Sequence, residues 1–177
     1  MRIIAGIHRH RSLFSPRGQT TRPMPDRLRE SLFNILGGLV TQKIFLDLYA
    51  GSGAVGLEAL SRGARHVIFV EESQAAAEII QRNIALLRAQ ENCSLVTTST
   101  TTALPKITGD IYFLGPPYSL SDEYGITLSV LGNRHPDLVI AQHARTHNLA
   151  ERYANLKRVR VVTQGSNSLS FFECIGV

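Results

Sequence analysis

The stretch 47-DLYAGSGAVG-56 sets three glycines, Gly51, Gly53 and Gly56, in the spacing G-x-G-x-x-G behind an acidic residue, Asp47. It continues the apolar run 44-IFLDLY-49, which reads as a buried strand, and leads into a helical pattern over about 54 to 62. Strand, glycine turn and helix in that order form a nucleotide-binding element, because glycines permit a tight turn and let the backbone approach a ligand closely. Glu71 ends the next apolar run twenty residues after Gly51, where a carboxylate can accept from both hydroxyls of a ribose. These features alone suit a dinucleotide-dependent oxidoreductase. Asp47 argues against it: within a strand, a buried carboxylate is costly unless a cation or hydrogen-bond donors meet it. The ammonium of an aminoacyl cofactor would serve, and so would nearby backbone amides.

Working outward, apolar strands alternate with helices. "HVIFVE", "SLVTT", "DIYFL" and "PDLVIAQ" read as further strands, with helices over about 74 to 89 and, shorter, before "DIYFL". Such alternation predicts a parallel sheet covered on both faces. The end, "RVRVVTQGSNSLSFFECI", is two β-rich runs around a polar turn, hence an antiparallel hairpin at the sheet edge. At the other end, "RIIAG" and "HRSLF" read as short strands. A Pro/Gly-bearing basic loop follows, and then a helix with Asp26 as its N-cap and Leu28, Leu32, Leu36 and Leu39 along one face.

The run "YFLGPPYSL", residues 112 to 120, ends its strand abruptly. Consecutive prolines donate no ladder hydrogen bonds and hold φ near −65°, so the chain after Leu114 leaves the sheet as a stiff corner. That corner presents Tyr118 and the carbonyls of Pro116 and Pro117. A plain structural turn has the same composition.

Charge is unevenly placed. The net charge is +5, and residues 1 to 40 carry Arg2, Arg9, Arg11, Arg17, Arg22, Arg27 and Arg29 against Asp26 and Glu30, while the remainder is balanced. Arginine forks match phosphate oxygens, so this segment is a candidate nucleic-acid contact, although a solvated basic face would look alike. No apolar run reaches membrane-span length and no export signal is evident, which points to the cytoplasm. Cys93 and Cys174 lack metal-ligand spacing and are expected to be packing residues, with no metal site.

The combination of D-x-x-x-G-x-G on the first strand, an acid ending the second and P-P-Y after the fourth resembles S-adenosylmethionine-dependent methyltransferases. More narrowly, "RIIAG", "RPMPDRLRESLFNIL", "FLDLYAGSGAVGLEALSRGA", "VEES" and "LSFFE" resemble the bacterial small-subunit rRNA guanine-N2 methyltransferases of the RsmD type over nearly the whole chain. The resemblance implies an α/β, Rossmann-like class I methyltransferase. Its sheet is mostly parallel and seven-stranded, with the antiparallel C-terminal hairpin and a small N-terminal β/α extension. Residues 1–40 would form that basic, RNA-binding extension and 41–177 the methyltransferase domain, in a single globular unit. A monomer acting on ribosomal RNA, within the small subunit or its assembly intermediate, is implied.

Carried over residue by residue, the resemblance assigns Asp47, Gly51 and Gly53 to the cofactor's methionine part, Glu71 to its ribose, and Ser99 and Thr100 to its adenine, with Tyr49 also cofactor-binding. Gly115, Pro116, Pro117 and Tyr118 fall on the catalytic motif, where Tyr118 would stack on a guanine taken out of its RNA stack. Arg9, Arg11, Arg17, Arg22, Arg27 and Arg29 would grip RNA from a segment bordering the cleft. The chain departs from the family pattern at three acids: Gly115 stands where the motif has Asp, Gln142 replaces an acid in "VIAQH", and "QGSNSLSFF" lacks another. These departures imply an enzyme of reduced catalytic power, or a homologue that binds cofactor and RNA with weak turnover.

Overall fold

The computed structural model describes residues 1–15, 24–117 and 119–176. Five parallel strands carry the centre: β1 (Ile44–Leu48), β2 (His66–Val70), β3 (Cys93–Val96), β4 (Ile111–Leu114) and β5 (Leu138–Ala144). Antiparallel strands β6 (Arg152–Tyr153), β7 (Leu156–Gln164) and β8 (Asn167–Cys174) extend the sheet, giving the order β3-β2-β1-β4-β5-β8-β7-β6. The mostly parallel α/β sheet and its terminal hairpin are as the sequence predicts. The two-residue β6 adds an eighth strand at the outer edge. It pairs with the start of β7 through Arg152 opposite Lys157 and Tyr153 opposite Leu156.

Burial explains the strand composition. In β1 all residues after Ile44 are buried, because helices cover both faces. On one face α1 (Asp26–Leu36), α2 (Ala54–Ser61) and α3 (Gln74–Leu87) pack through Leu28, Leu32, Leu57 and Ile80 onto Phe45, Val67 and Phe69. On the other, α4 (Thr100–Ala103) and α5 (Asp122–Gly132) pack through Ala103, Leu128 and Leu131 onto Leu46, Leu48 and Tyr112. Strand order reverses at β1, whose neighbours are β2 and β4. The crevice outside the carboxyl ends at such a switch point is where open α/β sheets bind ligands.

Two local expectations are corrected. "RIIAG" and "HRSLF" are not strands: one isolated bridge, between Arg2 and Ser12, joins them, with a further bond from His10 N–H to the Ile3 carbonyl at 3.0 Å. The next amides along the chain are spent elsewhere. Ile4 and Ala5 donate to the Glu58 carboxylate on α2 at 2.8 and 3.0 Å, and Ile7 donates to the Ser61 carbonyl at 2.9 Å. Nor does Asp26 cap α1. Pro25 holds the N-cap position, Asp26 is the first helical residue, and its carboxylate accepts instead from Arg29 at 3.0 Å. Among the described residues, no helix is long and apolar enough to cross a membrane.

Candidate functional site

The glycine turn is held between two carboxylates. After β1 the chain turns through left-handed backbone at Tyr49 (φ 66°), Gly51 (φ 58°) and Gly53 (φ 75°). Gly53 N–H donates to the Ala50 carbonyl at 2.8 Å, closing the turn. Asp47 accepts from Gly56 N–H at 2.8 Å, and Glu71 accepts from Gly51 N–H at 2.7 Å. Gly56 also sets the distance between helix and sheet, since a Cβ there would fall 2.4 Å from the Phe69 ring.

Asp47 is 1% exposed, so its carboxylate lies beneath the turn and not on a surface that meets a ligand directly. Burial is the dominant influence and pushes its pKa up to about 8, against the Gly56 hydrogen bond and with the repulsion of Glu71. Glu71 is better placed. It stands past the carboxyl end of β2, half-buried, with its second oxygen accepting from Ser73 N–H at 2.8 Å.

Tyr49, Glu71, Ser99, Thr100 and Pro117 line one cleft at the carboxyl ends of the strands. Distant stretches of chain thus deliver five of the predicted residues to one place. Ser99 also caps α4, accepting from Thr102 N–H at 3.4 Å. The Tyr49 hydroxyl donates to Glu123 at 2.7 Å and accepts from the Thr127 hydroxyl at 3.0 Å. Burial in turn raises the phenol's pKa well above its ordinary value.

Four further lining residues, Val70, Glu72, Leu120 and Glu123, escaped the sequence reading. Glu72 directly follows Glu71. Glu123 and Thr127 stand four apart on α5, a helix whose spacing the reading did not assign.

The corner after β4 is partly legible. Pro116 is buried and Pro117 exposed, and the Pro117 carbonyl accepts from Leu120 N–H at 2.8 Å. Tyr118 lies outside the described residues. Gly115 has no left-handed backbone, and a Cβ there would make ordinary contacts, the nearest at 3.6 Å to Gln142 Oε1. Gln142 in turn reaches Asn167 at 3.4 Å, beside Ser166. The positions that depart from the family's acids therefore sit together.

The arginines separate into different surroundings. Arg17 and Arg22 lie outside the described residues. Arg27 is exposed on α1. Arg29, expected to grip RNA, is 1% exposed: it donates to the Arg2 carbonyl at 2.7 Å and lies 3.8 Å from Glu58, so its charge is spent inside the fold. Arg9 and Arg11 are exposed but do not border the cleft. Their loop is held at Ser61, the far end of α2 from the glycine turn. Among the described residues, no three His, Cys, Asp or Glu side chains cluster as a metal site.

Comparison with known proteins adds the lineage. The chain matches the family described as Conserved hypothetical protein 95 over residues 1–173. It is 32% identical over 187 residues to YlbH of Bacillus subtilis (strain 168), covering 98% of each chain. It is 37% identical over 123 residues to a Haemophilus influenzae protein named Ribosomal RNA small subunit methyltransferase D, spanning 67% of this chain and 64% of that protein. The solved structure of yhhF from Escherichia coli is similar at a TM-score of 0.86 and 29% identity, covering 100% of this chain and 99% of that one.

Proposed function

Because the chain belongs to the family described as Conserved hypothetical protein 95, the RsmD-type family, we propose that it methylates the N2 amino group of a guanine in small-subunit ribosomal RNA, with S-adenosyl-L-methionine as methyl donor. The observation that carries this reading is the single cleft shared by Tyr49, Glu71, Ser99, Thr100 and Pro117. Its chemistry fits the donor. Each Glu71 oxygen accepts one backbone amide and keeps capacity for a ribose hydroxyl, and the Ser99 hydroxyl, which donates to Thr102 Oγ1 at 2.8 Å, keeps acceptor capacity toward an adenine edge beside buried Thr100.

When bound, the donor supplies an electrophilic methyl on sulfonium. The protein's part is alignment. Gly51 and Gly53 bring backbone close to the methionine portion, and Asp47 acts indirectly by fixing Gly56 and hence the turn. At the acceptor side, carbonyls of the Gly115–Pro117 corner accept from the guanine amine, which localises its lone pair on nitrogen. Positioning of this kind supplies much of the rate in transfers that need no covalent intermediate.

The basic segment 1–40 serves as the RNA-facing extension of a methyltransferase unit over 41–177, in a cytoplasmic monomer. Lacking a carboxylate at Gly115, the enzyme turns over slowly.

Titration calorimetry tests the site. S-adenosylhomocysteine is expected to bind and NAD is not. Glu71→Ala removes acceptors for the ribose and weakens binding by about 1.5 to 3 kcal/mol. Tight NAD binding without S-adenosylhomocysteine binding would overturn the reading.

A further inference from the structure

The parallel topology places one basic surface at the end of the sheet opposite the cleft. α2 starts at the glycine turn and ends at Ser61, where Gln42 N–H meets the Gly63 carbonyl at 2.8 Å and Arg65 N–H meets the Lys43 carbonyl at 2.9 Å, beside the first residues of β1. There the loop over residues 6–11 is clamped. Ile7 N–H donates to the Ser61 carbonyl at 2.9 Å and His8 N–H to the Ser61 hydroxyl at 3.0 Å. Gly6 (φ 83°) lies so close that a Cβ would fall 1.8 Å from the Ser61 oxygen. Turn hydrogen bonds from Arg9 N–H to Gly6 and from Arg11 N–H to His8, both 3.1 Å, hold the loop's shape.

This fixed loop projects Arg9, His10 and Arg11 into solvent, with Ile7 82% exposed among them. Exposed Arg65 stands at the start of β2, and exposed Arg88 ends α3, which runs from the carboxyl end of β2 to the amino end of β3. The nearby acids offset little of this charge. Buried Glu58 pairs with Arg62, Asp137 pairs with Lys43 at 2.7 Å, half-buried Asp110 accepts from Ile44 N–H at 2.7 Å, and exposed Glu91 precedes Asn92, which donates to the Arg65 carbonyl. A rigid basic surface with an apolar tip suits the sugar-phosphate backbone of folded RNA, where arginines take phosphates and a small apolar side chain packs against a sugar or a base step.

We propose that the loop over residues 6–11, with Arg65 and Arg88, is a second RNA contact, separated from the methyl-transfer cleft by the length of α2, about 12 Å by helical rise, and more by the turns at either end. The inference rests on the RNA methyltransferase reading. It narrows the substrate to RNA whose fold reaches around the side of the enzyme while one nucleotide enters the cleft.

The experiment measures the salt dependence of binding to small ribosomal subunits purified from cells lacking this gene, with wild type, R9A/R11A and R65A. The double variant is expected to lose affinity about tenfold or more at low salt and to flatten the log–log salt slope by roughly 1.5, as for two lost phosphate contacts. R65A should flatten it by about half as much. All three proteins should bind S-adenosylhomocysteine alike, which shows that the variants are folded. Equal affinities and slopes for wild type and variants would overturn the second contact while leaving the methyltransferase reading intact. Equally strong, Arg9- and Arg11-dependent binding to anionic phospholipid vesicles would overturn it in favour of a membrane surface. A wild type that neither binds subunits nor methylates them would instead remove the underlying reading.

Discussion

At Gly115 the question is what a missing side chain does to a transfer reaction. Its backbone is not left-handed, and a Cβ would meet Gln142 Oε1 at 3.6 Å, an ordinary contact. Gly115→Asp is therefore sterically tolerable, and a carboxylate there would accept from the guanine amine as positive charge develops on nitrogen. A hydrogen bond to a charged group is worth about 1.5 to 3 kcal/mol, or roughly tenfold to a hundredfold in rate. Single-turnover methylation with tritiated donor should show that increase, with donor affinity little changed. An unaltered rate in a folded variant would show that the backbone carbonyls suffice.

Asp47 gives a prediction of a different kind. Its folded pKa of about 8 lies above the unfolded value near 3.9, so the folded state holds a proton that the unfolded state releases between those limits. The contribution is fully present below pH 4 and is lost as pH rises through 8, at up to about 1.4 kcal/mol per pH unit. Asp47→Asn keeps an acceptor for Gly56 N–H and has no proton to lose. Urea unfolding at pH 5 and pH 8 should show wild type losing more stability than the variant, and equal losses would contradict the shift. The sequence marked Asp47 as an unusual strand residue and left open whether amides or an ammonium satisfied it. Only the fold reveals the Gly56 amide nine residues on.

At the level of elements, Glu58 joins the N-terminal segment to the core. It is fully buried, accepts from the Ile4 and Ala5 amides, pairs with Arg62 at 2.7 Å, and lies 3.8 Å from buried Arg29. Glu58→Ala removes the buried carboxylate beside Arg29, which then keeps only the half-exposed Asp26 as partner, and leaves two amides without an acceptor. Such losses cost about 3 to 5 kcal/mol. Chemical denaturation should report that drop, and a change below about 1 kcal/mol would mean the segment is held otherwise.

The same residue explains which elements the sequence disclosed. Strands β1, β2, β4 and β5 announce themselves because burial on both faces demands continuous apolar runs. "RIIAG" has strand composition too, but its Ile4 and Ala5 amides are taken by a carboxylate that lies 54 residues away from Ile4 in the chain, which local pattern does not reveal. α5 was invisible for another reason. Gly125 interrupts it, and Ile126 and Val130 face solvent, so its apolar residues show no clean helical stripe.

For the whole molecule, the glycine fingerprint, Glu71 and the proline corner marked three separate stretches in the sequence, and the topology brings Tyr49, Glu71 and Pro117 from them into one cleft. The placement of the arginines was not foreseeable. Composition gathers Arg9, Arg11 and Arg29 into one basic segment, yet the fold buries Arg29 and carries Arg9 and Arg11 to the opposite end of α2. A charge count has no direction, and direction comes only with the path of the chain. The resulting molecule has a small cleft at the carboxyl ends of its strands and a basic surface at the other end.

Incubating small subunits from cells lacking this gene with the protein and labelled S-adenosyl-L-methionine, then mapping the rRNA by nuclease digestion and mass spectrometry, tests the proposed reaction most directly. One guanine is predicted to gain a single methyl group on its exocyclic nitrogen, and Glu71→Ala should slow its appearance at limiting donor. Methyl transfer to another base or to protein, or no transfer at all with S-adenosylhomocysteine bound, would contradict it.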